Sequence, residues 1–420
     1  MKEYFEKVTP VLLGGDLNAY SMAASFADAE GLVSVCYARD KLAMCDLSSF
    51  IELRVVSELD DVNTAVPELM AFAEKHRGNR LLLVPCADWY VELLEYAKDA
   101  LEGSYYFHIP DFEIWKTTSD KASFTKIMDK YCIEHPKTEI FDKNLEKIEQ
   151  RCSGMKPPFV LKPSDSSEYW RHKFEGMKKV YFPDSLDEAR RIGEKIYSSG
   201  YSGKILIQEY IGEKNKRGST ASSVLTVFCD SSARVVRAVL GDVLLEELGA
   251  TSRGNYSAIV TRELDSISYR IIAMLEGIGY KGLANFDILR DGGKSYCLEL
   301  NPRQGRSFDY LRASGVNIAE LLLAQMRGER IARELKYPTG FWRCVSRKTV
   351  IKHAEDRGLL KTAIALEKRG RFKTPYEFRR DESIARRFYV MAHLFREGRR
   401  YKALARNAIK GKISHPHPSE

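Results

Sequence analysis

The stretch GLANFDILRDGGKSYCLELNPRQGRS, residues 282–307, carries most of the information about the fold and chemistry of this 420-residue chain. Two runs rich in alternating apolar and polar residues flank Asp-Gly-Gly at 291–293, which predicts a β-hairpin with a three-residue loop. That register pairs Asp287 with Cys297. Glu299 is then expected to lie diagonally across from Asp287, on the same face of the hairpin.

This face of the hairpin carries oxygen atoms that suit a metal ion. Asn301 follows Glu299 by two residues and shares its side of the strand, so three oxygen ligands, Asp287, Glu299 and Asn301, converge from two strands. Such a set is typical of Mg²⁺, which keeps some water ligands and takes others from phosphates. The alternative is an ordinary solvated hairpin face, and the hairpin alone leaves both interpretations open.

Segments before the hairpin supply cations and an apolar slot. Lys162 ends the predicted buried strand FVLK, and Lys121 lies in the first turn of a helix predicted over 119–131. A cation there opposes the helix dipole unless an anion lies nearby. Residues 164–176 are rich in small hydroxyl side chains and are predicted to form a mobile lid. ILIQEYIGE, residues 205–213, reads as a strand running into a loop whose backbone can meet the edge of a purine.

The first ~110 residues alternate strands and helices, which predicts a doubly wound parallel sheet with ligands at its strand ends. VTPVLL, residues 8–13, is the opening strand, and a turn at Gly14, Gly15 and Asp16 leads into the first helix. The N–H groups of Gly14 and Gly15 are candidates to hold a substrate carboxylate. Asp16 either joins them or simply caps the helix, and Asn18 is a further candidate.

The chain divides into three predicted regions. A Rossmann-like α/β domain spans 1–115. An α+β domain spans 116–335, with subdomains over about 116–212 and 213–335. Residues 336–420 are predicted to form a basic helical tail: from residue 341 onward there are 21 Lys or Arg and 8 Asp or Glu. The rest of the chain is faintly acidic, so the charge is concentrated in the tail.

Composition excludes several classes of protein. Hydrophobic residues make up 44% and charged residues 30%, which is typical of a globular protein and excludes disorder. No apolar run approaches the roughly 18 residues of a membrane helix, and the N-terminus does not resemble a secretory signal. The eight cysteines include no C-x-x-C pair, which favours reduced thiols and a cytoplasmic location.

Taken in order, these segments resemble the ATP-grasp superfamily. Its pattern is a helix lysine, a strand lysine, a flexible lid, a Q/E-E-x-I hinge and a metal hairpin with an acid followed by E-x-N. All five occur here, and the resemblance covers about 1–330. It implies an ATP-grasp fold with a pre-ATP-grasp N-terminal domain, and ATP with two Mg²⁺ ions, for which Mn²⁺ is able to substitute.

The resemblance also implies roles for individual residues. It places Lys121 and Lys162 on the α- and β-phosphates, and Arg303 on the γ-phosphate or an acyl phosphate. Around the adenine and ribose it places Gln208, Glu209, Ile211 and Asn215; the family usually has an acid at the last of these positions. The metal ligands are Asp287, Glu299 and Asn301, with Glu299 bridging both ions.

Within the superfamily, the opening GGDLNAYSMAASF, the KPSDSSEYW lid and NPRQGRS are most similar to the D-aspartate ligases and related carboxylate–amine ligases. That implies an ADP-forming ligase which joins the β-carboxyl group of D-aspartate to the lysine amine of a peptidoglycan precursor, such as a UDP-linked muropeptide. A ligase for another amino acid and a non-catalytic nucleotide-binding regulator stay open as alternatives. The tail lacks a nucleic-acid-binding signature, so no nucleic acid is expected. Three interpretations of its charge stay open: peripheral contact with an anionic membrane surface at the inner face of the membrane, docking of the diphosphate of a nucleotide-linked precursor, and a solvated helical face.

Overall fold

The structure, a computed structural model, describes residues 7–212, 221–247, 254–376, 381 and 383–409. Within these ranges the strands form three sheets of four, three and seven strands. Helices pack against each sheet. Along the chain the four-stranded sheet comes first, the three-stranded sheet second and the seven-stranded sheet last.

The N-terminal sheet is parallel, as the alternation of strands and helices predicts. Its strands are ordered β3-β2-β1-β4. Their apolar runs are buried because helices cover both faces. The elements are β1 Val8–Leu13, α1 Leu17–Glu30, β2 Ser34–Ala38, α2 Ala43–Asp46, β3 Ile51–Val55, α3 Val62–Lys75, β4 Arg80–Pro85 and α4 Asp88–Leu101. Residues 105–110 add no further strand to this sheet, because Tyr106 makes only an isolated bridge to Leu82.

The three-stranded sheet is antiparallel in the order β5-β7-β6 and carries the second predicted lysine. Its elements are α5 Phe112–Ser119, α6 Lys121–Lys130, β5 Thr138–Phe141, α7 Ile148–Arg151, β6 Phe159–Pro163, α8 Ser166–Arg171, α9 Leu186–Ser198 and β7 Ile205–Glu209. Asp120, rather than Ser119, caps α6, because its Oδ1 accepts from the Ser123 N–H at 2.7 Å. The segment predicted as a lid contains α8.

The seven-stranded sheet has the order β12-β11-β8-β9-β10-β13-β14 and is antiparallel except for its last pair. Phe286, Ile288 and Leu300 of the metal hairpin are buried against α10, so the opposite side of the hairpin is free to carry polar groups. The elements are β8 Ala221–Cys229, β9 Val235–Glu246, β10 Tyr256–Arg262, α10 Ser266–Ile278, β11 Gly282–Asp291, β12 Lys294–Asn301, a 3₁₀ helix Phe308–Ser314 and α11 Ile318–Met326.

The C-terminal region is mainly helical, as predicted, but it is packed into the molecule and is not a detached tail. It contains β13 Phe341–Arg343, α12 Arg347–His353, α13 Arg357–Lys368, β14 Phe372–Lys373 and α14 Ile384–Ile409. Trp342 is fully buried and donates its Nε1–H to Asp309 at 2.8 Å. Tyr20 of the first domain donates its O–H to Asp381 at 3.0 Å. The region therefore contacts both the large sheet and the N-terminal domain.

None of the helices in the described ranges has the length and apolar character that a bilayer-spanning segment needs. All eight cysteines are free thiols, and seven of them are buried in the hydrophobic interior. The seven buried cysteines therefore contribute to packing of the interior, and Cys132 is exposed.

Candidate active site

β11 and β12 bring the three predicted metal ligands onto one face. Asp287 pairs directly with Glu299, and Asn301 lies two residues further along the same side of β12. The Asn301 Nδ2 is 3.5 Å from an Asp287 carboxylate oxygen. Tyr256 of β10 donates its O–H to the other Asp287 oxygen at 2.8 Å. This tyrosine fixes the orientation of the Asp287 carboxylate.

The register of the hairpin corrects the sequence prediction. The loop consists of Gly292 and Gly293 alone, both at positive φ (54° and 80°), whereas a three-residue loop was expected. A two-residue type I′ turn needs positive φ at both positions, which two glycines adopt without steric cost. The shorter loop shifts the strand pairing by one residue, and a β-bulge between Asp287 and Ile288 shifts it by one more. Asp287 therefore pairs with Glu299 and not with Cys297. The predicted metal ligands Asp287 and Glu299 therefore lie closer together than the diagonal pairing implied.

The two carboxylates have opposite electrostatic tendencies. Burial, together with repulsion from Glu299, raises the pKa of Asp287 above its usual range. Burial also opposes ionisation of Glu299, but the positive charges of Lys121 and Lys179 outweigh it and hold the pKa of Glu299 below its usual range. The site thus keeps one firm negative charge beside a carboxyl group that ionises more readily when a cation is present.

Both predicted phosphate-binding lysines lie beside this pair. Lys121 is the first residue of α6; its Nζ is 4.0 Å from Glu299 Oε2 and donates to Ser166 Oγ at 2.9 Å. Lys162, on β6, is buried, and burial lowers its pKa to about 8, an effect that Lys121 reinforces and Glu299 opposes. Anionic oxygen atoms bound between these lysines would favour their charged form.

Lys179 is a cation of this site that the sequence analysis did not single out. It is exposed, it precedes the bridge between Tyr181 and Leu161, and its charge acts on both Asp287 and Glu299. Residues 178–182 form no strand beyond that single bridge. The only signal in the sequence was a lysine following the lid, which is too common a feature to identify a site.

The predicted adenine slot lies at the end of β7. Gln208 is buried and donates its Nε2–H to Thr138 Oγ1 at 2.8 Å. The N–H of Glu209 already donates to the Lys137 carbonyl oxygen at 2.9 Å. The adenine contact predicted for the Glu209 backbone would therefore use its carbonyl group. Ile211 follows the strand and is half-buried, whereas Asn215 lies outside the described residues.

Arg303 follows the hairpin and reaches the first domain. Its Nη2 donates to Asp88 Oδ2 at 2.6 Å, and its Nη1 donates to the Gln304 carbonyl oxygen at 3.0 Å. The Nε–H is buried and has no hydrogen-bond partner in the part of the chain that the structure describes. Asp88, at the start of α4, is half exposed. Arg303 is thus held by its Nη2 bond to Asp88, and its Nε–H has no partner among the described residues.

The opening turn differs from its prediction in one respect. The N–H of Gly14 donates to the Tyr37 carbonyl oxygen at 2.8 Å, so this amide is not available to a substrate carboxylate, and the role expected for Gly14 is corrected. A Cβ atom at Gly15 would lie 2.7 Å from the Cβ of Ala38, which gives this glycine a packing role. Asp16 caps α1 through the Asn18 N–H at 3.0 Å.

Asn18 joins the first domain to the segment after the hairpin. It is buried, and its Nδ2 donates to the carbonyl oxygens of Cys86 at 2.9 Å and Gln304 at 3.3 Å. Gln304 in turn donates from Nε2 to the Pro85 carbonyl oxygen at 3.1 Å. These bonds hold Arg303 near the carboxyl ends of β1 and β4. Sequence reasoning named Asn18 as a candidate but missed Gln304.

Comparison with known proteins decides the family. No family model matches the chain. The chain is 31% identical over 408 residues to the D-aspartate ligase of Enterococcus faecium (strain Aus0004), an alignment that covers 93% of this chain and 94% of the relative. The chain belongs to the D-aspartate ligase family. It is therefore an ATP-dependent carboxylate–amine ligase.

Solved structures show the fold. The biotin carboxylase domain of Hydrogenobacter thermophilus 2-oxoglutarate carboxylase, solved with MgADP, ADP and bicarbonate, has a TM-score of 0.60 at 15% identity, covering 79% of this chain and 73% of that one. N5-carboxyaminoimidazole synthetase from Staphylococcus aureus has a TM-score of 0.57 at 11% identity, covering 79% and 81%. The ATP-grasp fold expected of a D-aspartate ligase family member is thus confirmed.

The residues of this D-aspartate ligase family member fit a divalent cation. Among the residues that the structure describes, no three His, Cys, Asp or Glu side chains cluster as a metal site, so a third ligand has to come from elsewhere. Asn301 lies on the same face as Asp287 and Glu299, with its Nδ2 toward Asp287, and its amide group also carries an oxygen able to bind a cation. Two carboxylates and one amide are hard oxygen donors that leave positions open for phosphate and water, which is what Mg²⁺ requires.

Proposed function

We propose that this ligase uses ATP to activate the β-carboxylate of D-aspartate and joins it to the lysine side-chain amine of a peptidoglycan precursor, for example one linked to UDP. The observation that carries the proposal is the 31% identity to a D-aspartate ligase over nearly the whole length of both chains. The hairpin, the two lysines and Arg303 support it, because they supply the groups that phosphoryl transfer to a carboxylate needs.

In this proposal the nucleotide lies between β7 and the metal hairpin. Gln208, the carbonyl group of Glu209 and the backbone of Ile211 hold the adenine, and Lys121 and Lys162 hold the α- and β-phosphates. Asp287, Glu299 and Asn301 would hold two Mg²⁺ ions, for which Mn²⁺ could substitute. When bound, these ions offset the negative charge of the β- and γ-phosphates.

The first step is transfer of the γ-phosphoryl group. An oxygen of the substrate carboxylate attacks the γ-phosphorus, the bond to the β,γ-bridging oxygen breaks, and ADP leaves, so that an acyl phosphate forms. Lys162 is suited to this step because it is buried beside Glu299, where its charge acts in a medium of low dielectric constant. Arg303 holds the reacting carboxylate through its guanidinium group.

The second step forms the amide. The amine nitrogen attacks the acyl carbon, a proton leaves the nitrogen, and inorganic phosphate departs with the bonding electron pair. An acyl phosphate hydrolyses readily, so water has to be excluded until the amine arrives. Residues 164–176 lie over the lysines: α8 contributes Ser166, whose Oγ accepts a hydrogen bond from Lys121 at 2.9 Å. Movement of this segment is therefore coupled to the phosphate-binding lysine.

Selection of a dicarboxylic amino acid follows from charge. Each carboxylate of aspartate needs its own partner, since a buried carboxylate without one is destabilised by several kcal/mol. Arg303 serves the reacting carboxylate. Because the N–H of Gly14 is already used, the partners we propose for the second carboxylate are the backbone N–H groups of Gly15 and of Asp16, which is exposed at the start of α1.

The test is ATP-dependent hydroxamate formation with D-Asp, L-Asp, D-Ala and D-Glu side by side, using hydroxylamine as the amine. We expect D-Asp to be preferred at least tenfold, with the new bond on its β-carbon. Preference for D-Ala or an L-amino acid would overturn the substrate assignment and leave the ligase class intact. No activity with any amino acid would favour a nucleotide-binding regulator.

A further inference from the structure

The outer face of α14 carries an apolar stripe that no other part of the described chain covers. Ile384, Phe388, Met391 and Phe395 are 74%, 64%, 57% and 66% exposed. Their spacing of four, three and four residues places them along one side of the helix. Among the described residues the other exposed large hydrophobic side chains occur singly, apart from the pair Trp89 and Tyr96 on α4, so the row of four on α14 is the longest.

The opposite face of α14 is anchored, so the stripe cannot simply rotate inward. Arg386 is buried; its Nη1 donates to the Met44 carbonyl oxygen at 2.6 Å, and its Nε lies 3.1 Å from Asp381. Tyr401, four turns later, is also buried and donates its O–H to the Glu246 carbonyl oxygen at 2.9 Å. The helix is therefore held at both ends with its apolar stripe facing outward.

The charges beside the stripe are positive. Arg399, Lys402 and Arg406 are exposed and, at 100° per residue, continue the line of the stripe toward the C-terminal end of the helix. Arg396 is exposed on its flank. Glu397 is the helix's single acidic residue; it is half-buried, on the anchored side, with its carboxylate 3.8 Å from Arg400. The outer face thus combines an apolar first half with a cationic second half.

We propose that this face docks the protein onto the surface of an anionic lipid bilayer, with the helix lying in the plane of the interface. A stripe of large apolar side chains bordered by Arg and Lys is the composition that interfacial helices use. Charge complementarity favours anionic headgroups. It opposes a second copy of the chain, because pairing two such faces would bring cationic halves against each other or against the apolar halves.

The size of the stripe favours the same partner. Its exposed side chains offer about 500 Å² of apolar surface, whereas a stable protein–protein interface needs about 800 Å² per partner. Twelve residues of stripe are also too few for a coiled coil, which needs at least three or four heptads. A lipid surface requires neither a minimum area nor a matching register. The proposal concerns where the enzyme acts, and it is independent of which amino acid is activated.

The test uses the full-length chain and co-sedimentation with vesicles of phosphatidylcholine alone or mixed with phosphatidylglycerol. We expect at least tenfold stronger partitioning to the mixed vesicles, falling as salt is raised. The double variants Phe388→Ser, Phe395→Ser and Arg399→Glu, Lys402→Glu should each reduce it at least tenfold. Val33→Ser, Tyr269→Ser removes exposed apolar groups elsewhere and serves as the matched control, and amino-acid-dependent ADP release shows that every variant is folded.

Two results would overturn the proposal. One is equal partitioning to both kinds of vesicle, or binding that both α14 variants retain in full. The other is a wild-type chain that binds no vesicles but forms a dimer in analytical ultracentrifugation. If Phe388→Ser, Phe395→Ser converts that dimer to a monomer, the face binds a second copy of the chain.

Discussion

Replacing Glu299 by Gln removes the firm negative charge of the site and should abolish most of the activity while the fold survives. The Lys121 Nζ lies 4.0 Å from Glu299 Oε2. At an effective dielectric constant of about 20, charges at that distance attract by about 4 kcal/mol. That loss is offset by the end of repulsion between Glu299 and Asp287, so we expect the free energy of unfolding to change by no more than about 2 kcal/mol.

Catalysis has no such compensation. The substituted amide side chain offers one neutral oxygen where two charged ones stood, so charge on the transferring phosphoryl group is less well stabilised. We expect kcat for amino-acid-dependent ADP release to fall by about 10²- to 10³-fold. Burial lowers the pKa of Lys162 to about 8, and the negative charge of Glu299 keeps it from falling further. In the variant this pKa falls further, and the alkaline limb of the kcat/KM profile should move to lower pH.

The matched control is Asp291→Asn, which removes one negative charge at the exposed tip of the same hairpin. Activity should be unchanged in this control. The proposed role of Glu299 is refuted if Glu299→Gln retains kcat within about threefold of wild type, or if the control loses as much activity as the variant.

Three further predictions follow from other parts of the structure. Chromatography of the spent nucleotide should show ADP and phosphate, and AMP as the main product would contradict the proposed contacts to the β- and γ-phosphates. Glu95 is buried with both carboxylate oxygens unpaired among the described residues, and burial raises its pKa to about 7. Between about pH 4.5 and pH 7 the folded chain keeps a proton on Glu95 that the unfolded chain releases, so the free energy of unfolding falls as the pH rises through this range. In urea unfolding, Glu95→Gln should therefore be roughly 2–3 kcal/mol more stable than wild type at pH 8 and equal to it at pH 4. The control Glu102→Gln should match wild type at both pH values. Arg386→Leu leaves the buried Asp381 without its cation and should lower the free energy of unfolding by about 3–5 kcal/mol, measured as a lower Tm. Adding Asp381→Asn should recover part of this loss. An unchanged Tm in Arg386→Leu would contradict a stabilising role for the buried ion pair.

Much of the fold was predictable because its signals are local. Apolar runs and regular alternation located β1, β2 and β4 of the first domain but missed the more exposed edge strand β3, and a glycine pair located the hairpin that carries the predicted metal ligands. The loop length was mistaken by one residue because Asp-Gly-Gly is compatible with either a two- or a three-residue turn. The β-bulge that restored the convergence of Asp287 and Glu299 has no signature in the sequence that distinguishes it from regular strand.

The rest of the site was not predictable because its contacts are long-range. Tyr256 meets Asp287 from another strand, Asp88 meets Arg303 across two domains, and Lys179 acts on the hairpin through space. Asp88 was a candidate because it lies near the end of a predicted strand, whereas no local pattern marks Tyr256 or Lys179. The C-terminal region was correctly predicted to be helical, but its packing against the rest of the molecule through buried residues such as Arg386 was not predictable from its charge.

Isotope transfer tests the central claim, activation of the β-carboxylate of D-aspartate as an acyl phosphate, most directly. D-aspartate labelled with ¹⁸O in the β-carboxylate is turned over with ATP and an amine, and the released phosphate is analysed by mass spectrometry. We expect each phosphate to carry one labelled oxygen, and label placed in the α-carboxylate to stay out of it. Unlabelled phosphate from the β-labelled substrate would contradict activation through an acyl phosphate.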